Sequence, residues 1–104
     1  MIITEEQNNA RINIAKGMVF QVKLEARLST GYSWELVSGA TNVSLTDRPA
    51  VKTEEKDKTG GIDWQVFTFR ADSAGETLLL FQYRRPWVDN EVPEKYFRLK
   101  VVVN

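Results

Sequence analysis

The 104-residue sequence predicts an all-β fold, an antiparallel sandwich of about seven short strands. Three observations carry that prediction. Apolar residues recur at every second position in several segments, the spacing that puts them on one face of a pleated strand. Glycine, proline, aspartate and serine, the residues of tight turns, fall between those segments. No stretch of about ten residues carries an apolar stripe at helical spacing, and no repeat or low-complexity tract is present.

Taken in order, and lettering the strands A to G, Ile12 and Ile14 alternate with polar neighbours in strand A, and Gly17 punctuates. Phe20, Val22, Leu24 and Ala26 give strand B an unbroken period of two. Tyr32, Trp34 and Leu36 restore that period in strand C. Beyond the turn signal Ser38-Gly39, Val43 with Leu45 and then Ala50 to Thr53 are weaker segments for strand D, and Pro49 between them marks an edge or an irregular crossing. Trp64 to Phe69, dense in aromatic and β-branched residues, forms strand E, and Asp72-Ser73-Ala74-Gly75 is the following turn. Leu78 to Tyr83 is apolar at nearly every position, which predicts a central strand F covered on both faces. Phe97, Leu99, Val101 and Val103 alternate with Arg98, Lys100 and Val102 in strand G. Size and spacing fit an immunoglobulin-like sandwich in which residues 1–104 form one domain.

Composition removes most chemistry. Fourteen Lys and Arg balance fourteen Asp and Glu, so nothing favours a broad electrostatic attachment to nucleic acid or to anionic lipid. The chain has no cysteine and no histidine, which rules out a thiol nucleophile, a Ser/His/Asp triad, a thiolate or imidazole metal site and a disulfide. Pairs such as Glu5-Glu6 and Glu54-Glu55 read as solvated surface rather than as general acid and base. The expectation is a protein that is not an enzyme and uses no cofactor or metal. No apolar run is long enough to span a bilayer, and the acidic start after Met1-Ile2-Ile3 lacks the pattern of a signal peptide. The compartment stays open, an exported precursor included.

If successive strands reverse direction, the B–C, D–E and F–G loops emerge at one end of the sandwich. These are the loops with unusual chemistry: Leu28-Ser29-Thr30-Gly31, then Lys58-Thr59-Gly60-Gly61, then Arg84-Arg85-Pro86-Trp87. Loops on a rigid sandwich are where binding function concentrates. Taken singly each has a plain structural explanation. Thr30-Gly31 reads as a turn needing positive φ at glycine, Gly60-Gly61 as a hairpin turn, Trp87 as a lid folded back on the core and Arg85 as a solvated charge. Tyr32 and Trp34 lie on the inward period of strand C and read as core.

Together the three loops resemble the chagasin family of cysteine-peptidase inhibitors. That family is recognised by a B–C motif Asn-Pro-Thr-Thr-Gly-Tyr with a Trp two residues on, a D–E motif Gly-x-Gly-Gly and an F–G motif Arg-Pro-Trp or Arg-Pro-Phe. Ser29-Thr30-Gly31-Tyr32-Ser33-Trp34 fits the first with one conservative change, Thr59-Gly60-Gly61 fits the second after Lys58, and Arg85-Pro86-Trp87 fits the third without change. The order and strand context match from about Gly17 to Val103. Arg27 and Leu28 stand where the family has Asn and Pro, and loss of that proline removes a φ constraint and predicts a more mobile loop.

The resemblance implies a reversible inhibitor whose partner is a papain-like cysteine peptidase and which acts as a monomer. Its peptidase-binding residues would be Leu28, Ser29, Thr30, Gly31, Thr59, Gly60, Gly61, Arg85, Pro86 and Trp87, with Tyr32 and Trp34 supporting the loops. Thr30 and Gly31 would reach the catalytic cysteine, Trp87 would be a rigid anchor and Arg85 a charged donor. Gly60-Gly61 would let the D–E backbone lie flat on the enzyme. Two other readings stand beside this one. A carbohydrate-binding or adhesion module would use Trp87, Trp64 and Tyr83 as a stacking platform, and a divalent-cation module would use Asp89, Glu91 and Glu94, whose spacing matches no recognised oxygen-ligand loop.

Overall fold

The computed structural model describes residues 1–38, 41–55 and 61–104. Its strands are β1 (Ile2–Ile3), β2 (Ala10–Ile14), β3 (Val19–Ala26), β4 (Ser33–Ser38), β5 (Val43–Leu45), β6 (Ala50–Glu55), β7 (Gly61–Ala71), β8 (Gly75–Arg84) and β9 (Lys95–Val103). One sheet runs β1-β3-β7, with β5 and β6 in succession along the far edge of β7, and the other runs β2-β9-β8-β4. The B–C loop joins β3 to β4, the D–E loop joins β6 to β7, and the F–G loop joins β8 to β9.

In β3 and β9 the alternation read from the sequence is the alternation of burial, and β8 alternates too although its sequence is apolar at nearly every position. Phe20, Val22, Leu24 and Ala26 of β3 point inward, as do Phe67, Phe69 and Ala71 of β7, Leu79, Phe81 and Tyr83 of β8, and Phe97, Leu99, Val101 and Val103 of β9. Aromatic pairs knit the core together. Phe67 meets Phe81 of the opposite sheet edge-on at 4.9 Å between ring centroids, and within one sheet Phe69 stacks on its cross-strand partner Phe20 at 5.3 Å. Deleting any of these rings is expected to cost about 3–5 kcal/mol, because a close-packed interior cannot refill the space.

Three details differ from the sequence reading. Strand D is two strands, β5 facing Phe69 to Ala71 and β6 facing Gly61 to Val66, with Pro49 in the gap where the ladder lapses. The sheets are antiparallel except at two edges, where β1 runs parallel to β3 and β2 parallel to β9. These first strands pair with strands distant in sequence, so no hairpin dictates their direction. Strand F is central in its sheet, as expected, but its outer face is open: Leu78 is 50% exposed while Leu79 is fully buried. A run of leucines marks the strand without revealing which face is covered.

Register places the three loops. Ala26 at the end of β3 faces Asp63 near the start of β7, and Arg84 at the end of β8 faces Ser33 at the start of β4. The B–C loop joins those two corners, so the start of β7, the B–C loop and the F–G loop share one pole.

Candidate inhibitory pole

The B–C loop is a tight, internally bonded turn. Residues Leu28 to Thr30 form one turn of 3-10 helix that ends on Gly31 at φ 88° and ψ −9°, left-handed backbone that favours glycine. Thr30 N–H donates to Arg27 O at 3.0 Å, Gly31 N–H to Leu28 O at 2.9 Å, and the Thr30 hydroxyl to Arg27 O at 2.5 Å. The sandwich holds the base of this turn at two points. Arg27 N–H donates to the Tyr83 hydroxyl at 2.9 Å, and Leu28 N–H donates to Asp63 Oδ2 at 3.0 Å. The Leu28 side chain packs against the core. The mobility expected from the missing proline is therefore opposed by a leucine anchor and by a hydrogen bond that a proline, having no N–H, could not make.

The F–G loop is equally braced. Val88 N–H donates to Arg85 O at 3.1 Å, closing a turn in which Pro86 holds the second position, where its fixed φ is suited. Glu91 clamps the start of the loop: its Oε1 accepts the Arg85 N–H at 3.1 Å, and its Oε2 accepts Nε at 2.7 Å and also Nη2. The Arg85 hydrogen bonds hold the Glu91 carboxyl below the usual carboxylate range and raise the guanidinium's own pKa. Arg84 adds a second brace, donating to Val88 O at 3.1 Å while its Nε pairs with Glu35 at 2.7 Å.

The two loops touch. A methyl group placed on Gly31 would lie 1.9 Å from Cη2 of Trp87, so the indole rests against the bare glycine backbone. The Arg85 guanidinium sits 5.4 Å from the centroid of Tyr32, which stacks on Tyr83 at 5.4 Å. Trp34, 4% exposed, follows Tyr83 into the core at 5.0 Å and donates its indole N–H to Glu25 O at 2.8 Å. Trp87 remains 65% exposed. It is not a lid on the core but an exposed face backed by the B–C apex.

Of the residues expected at the site, Leu28, Ser29, Thr30, Gly31, Arg85, Pro86 and Trp87 come together at this pole, with Tyr32 and Trp34 beneath them. Gly61 opens β7 opposite Glu55, and Thr59 and Gly60 lie outside the described residues. Four contributors carried no motif: Asp63, Tyr83 as an acceptor, Glu91 as a clamp, and Gln65. The last is a buried amide that accepts Trp34 N–H at 2.7 Å and donates to Trp34 O at 3.2 Å from the opposite sheet. A polar residue on the inward period of strand E was the available signal for Gln65.

The aromatic platform of the carbohydrate reading does not assemble. Trp87 is at the pole, Tyr83 is buried, and Trp64 lies on the outer face of its sheet with the Lys23 ammonium 4.7 Å from its ring centroid. Of the acidic residues considered for a cation, Glu91 is committed to Arg85, and no group of three such side chains able to hold a metal ion occurs among the described residues.

Residues 13–101 match the model of the chagasin family peptidase inhibitor I42. The chain belongs to the chagasin family. It is 32% identical over 103 residues to amoebiasin-1 of Entamoeba histolytica, covering 99% of both chains. The fold resembles that of the cysteine protease inhibitor EhICP2 from the same organism, with a TM-score of 0.89 at 24% identity, covering 99% of this chain and 94% of that one. It also resembles PbICP-C, solved in complex with falcipain-2, with a TM-score of 0.65 at 15% identity, covering 100% and 90%. At these identities the two structures speak to the fold. Chagasin-family chains are peptidase inhibitors rather than enzymes, and the match spans both braced loops described above.

Proposed function

We propose that the chain is a reversible inhibitor of papain-like cysteine peptidases that seats the B–C, D–E and F–G loops in the active-site cleft. The observation that carries the reading is the contact of Trp87 with Gly31, which joins the family's motifs on two distant loops into one exposed wedge. Thr30 and Gly31 form its slim apex, where backbone approaches a catalytic cysteine without a Cβ in the way. Trp87 supplies a rigid aromatic surface that loses little side-chain entropy on docking. The apex is held on both sides by strands, so even an attacked peptide bond leaves both halves in place, and occupancy alone blocks the enzyme. The complex of PbICP-C with falcipain-2 supports the same partner class for this chain.

Titrating an active papain-like peptidase with the purified protein tests the proposal. Stoichiometric, reversible loss of activity with the inhibitor recovered intact is expected, while serine and metallopeptidases are unaffected. No inhibition across a panel of papain-like enzymes at micromolar concentration overturns it.

A further inference from the structure

We infer that Asp63 is a positioning residue for the inhibitory pole, holding the B–C loop in register with the strands that carry the D–E loop. Its consequence for binding rests on the proposed inhibitory function; the contact itself rests on geometry. Asp63 stands on β7, two residues beyond the start of that strand. Its Oδ2 accepts the backbone N–H of Leu28 at 3.0 Å, and its Oδ1 accepts the hydroxyl of Thr53 on β6 at 2.9 Å. One half-buried carboxylate thus joins the B–C turn to both strands flanking the D–E loop.

The chemistry of position 28 explains why such a tie is needed. A proline there would fix φ and present no donor, whereas Leu28 leaves φ free and adds an N–H at the opening of a 3-10 turn, where no partner exists within the turn. The carboxylate satisfies that donor with a charge-assisted bond, which is stronger than a neutral one. The apex hangs from this point: Gly31 N–H is bonded to Leu28 O, and Trp87 lies on Gly31. Without this bond the base of the turn keeps the Arg27 N–H bond to Tyr83 and the packing of the Leu28 side chain, but the Leu28 backbone is free to rotate, and the displacement would reach the F–G loop through the indole. Asp63 does by hydrogen bond what a ring would do by covalent constraint.

The test compares Asp63→Ala, Asp63→Asn, Leu28→Pro and the Leu28→Pro/Asp63→Ala double variant with the wild type. It measures amide hydrogen exchange at residue 28 by NMR and inhibition of a papain-like peptidase. Asp63→Ala is expected to deprotect the Leu28 amide and to weaken inhibition about tenfold or more, the scale of a lost hydrogen bond to a charged group. Asn at the same position offers an oxygen to Leu28 and an amino group to the Thr53 hydroxyl, so it should restore most of both. With proline at 28 there is no amide to hold, and adding Asp63→Ala should change inhibition by less than about threefold. The inference is overturned if Leu28 exchange is unchanged in Asp63→Ala, if Asn behaves like Ala, or if the loss is as large in the proline background. Should the wild type itself not inhibit, the functional proposal falls, and the exchange measurement still decides the contact.

Discussion

Gly31 is constrained twice. Its φ of 88° would cost an L-residue about 1–2 kcal/mol, and any side chain there would collide with the Trp87 ring. Because that ring is the exposed end of a side chain, it can swing away, so Gly31→Ala should fold with only the backbone penalty while losing the wedge. The expected signature is a shift in Trp87 fluorescence with weakened inhibition and a modest fall in melting temperature; unchanged inhibition would show that the indole seat is irrelevant to binding. Trp87 and Trp34 should separate contact from core in the same way. Trp87→Ala is expected to weaken binding by about 2 kcal/mol or more with the fold intact. Trp34→Ala is expected to cost about 3–5 kcal/mol of stability, since it empties a buried site and strips Glu25 O of its donor. Denaturant melts alongside inhibition assays distinguish the two, and reversed phenotypes would mean that the roles are exchanged.

Strands were legible because period-two burial is written residue by residue in β3 and β9, whereas β7 was legible from its density of aromatic and β-branched residues, with Gln65, Val66 and Phe67 buried in succession. The loops were legible as motifs, but their bracing was not. Asp63, Glu91 and Tyr83 act on backbone groups brought near only by register, and no local pattern announces a partner on another strand. β1 was missed because two residues contain no period, and its pairing is completed by a side chain, Glu5 Oε1 accepting Glu25 N–H at 2.7 Å just beyond the strand's end. Gln65 shows the same logic at the open edge of β4, where its amide closes both backbone groups of Trp34 that no neighbouring strand reaches. Replacing Gln65 with Leu leaves a buried N–H and C=O unpaired, so a loss of about 1–3 kcal/mol is expected despite the gain in apolar surface. Urea denaturation would measure it, and an unchanged midpoint would mean that water substitutes fully for the amide.

At the scale of the whole molecule, charge and pH follow from the carboxylates because there is no histidine to titrate near neutrality. Among the described residues three carboxyls are held below their usual values: Glu35 by hydrogen bonds from Gln82 and Arg84 against the opposing effect of burial, Asp72 by those from Ser44 and Arg70, and Glu91 by Arg85. A carboxylate whose pKa is lower in the folded than in the unfolded chain stabilises the fold fully above its unfolded value. That contribution fades as pH falls through the folded value. With unfolded references of 4.5 for Glu and 3.8 for Asp, stability should be flat from about pH 5.5 to 8 and decline below about pH 4.5. Glu91 ties this decline to function, because its protonation loosens the clamp on Arg85 at the base of the Trp87 turn. Inhibition should therefore weaken in the same acid range, and Glu91→Gln should carry part of that weakening to neutral pH and flatten the acid limb. Thermal melts from pH 3 to 8, paired with binding to a peptidase whose catalytic cysteine is replaced by alanine, separate these effects from titration of the enzyme's own Cys and His. A large change in melting temperature between pH 5.5 and 8 would overturn the flat profile and require a group titrating in that range, such as a buried acid with a raised pKa, because the three depressed carboxyls are fully ionised there.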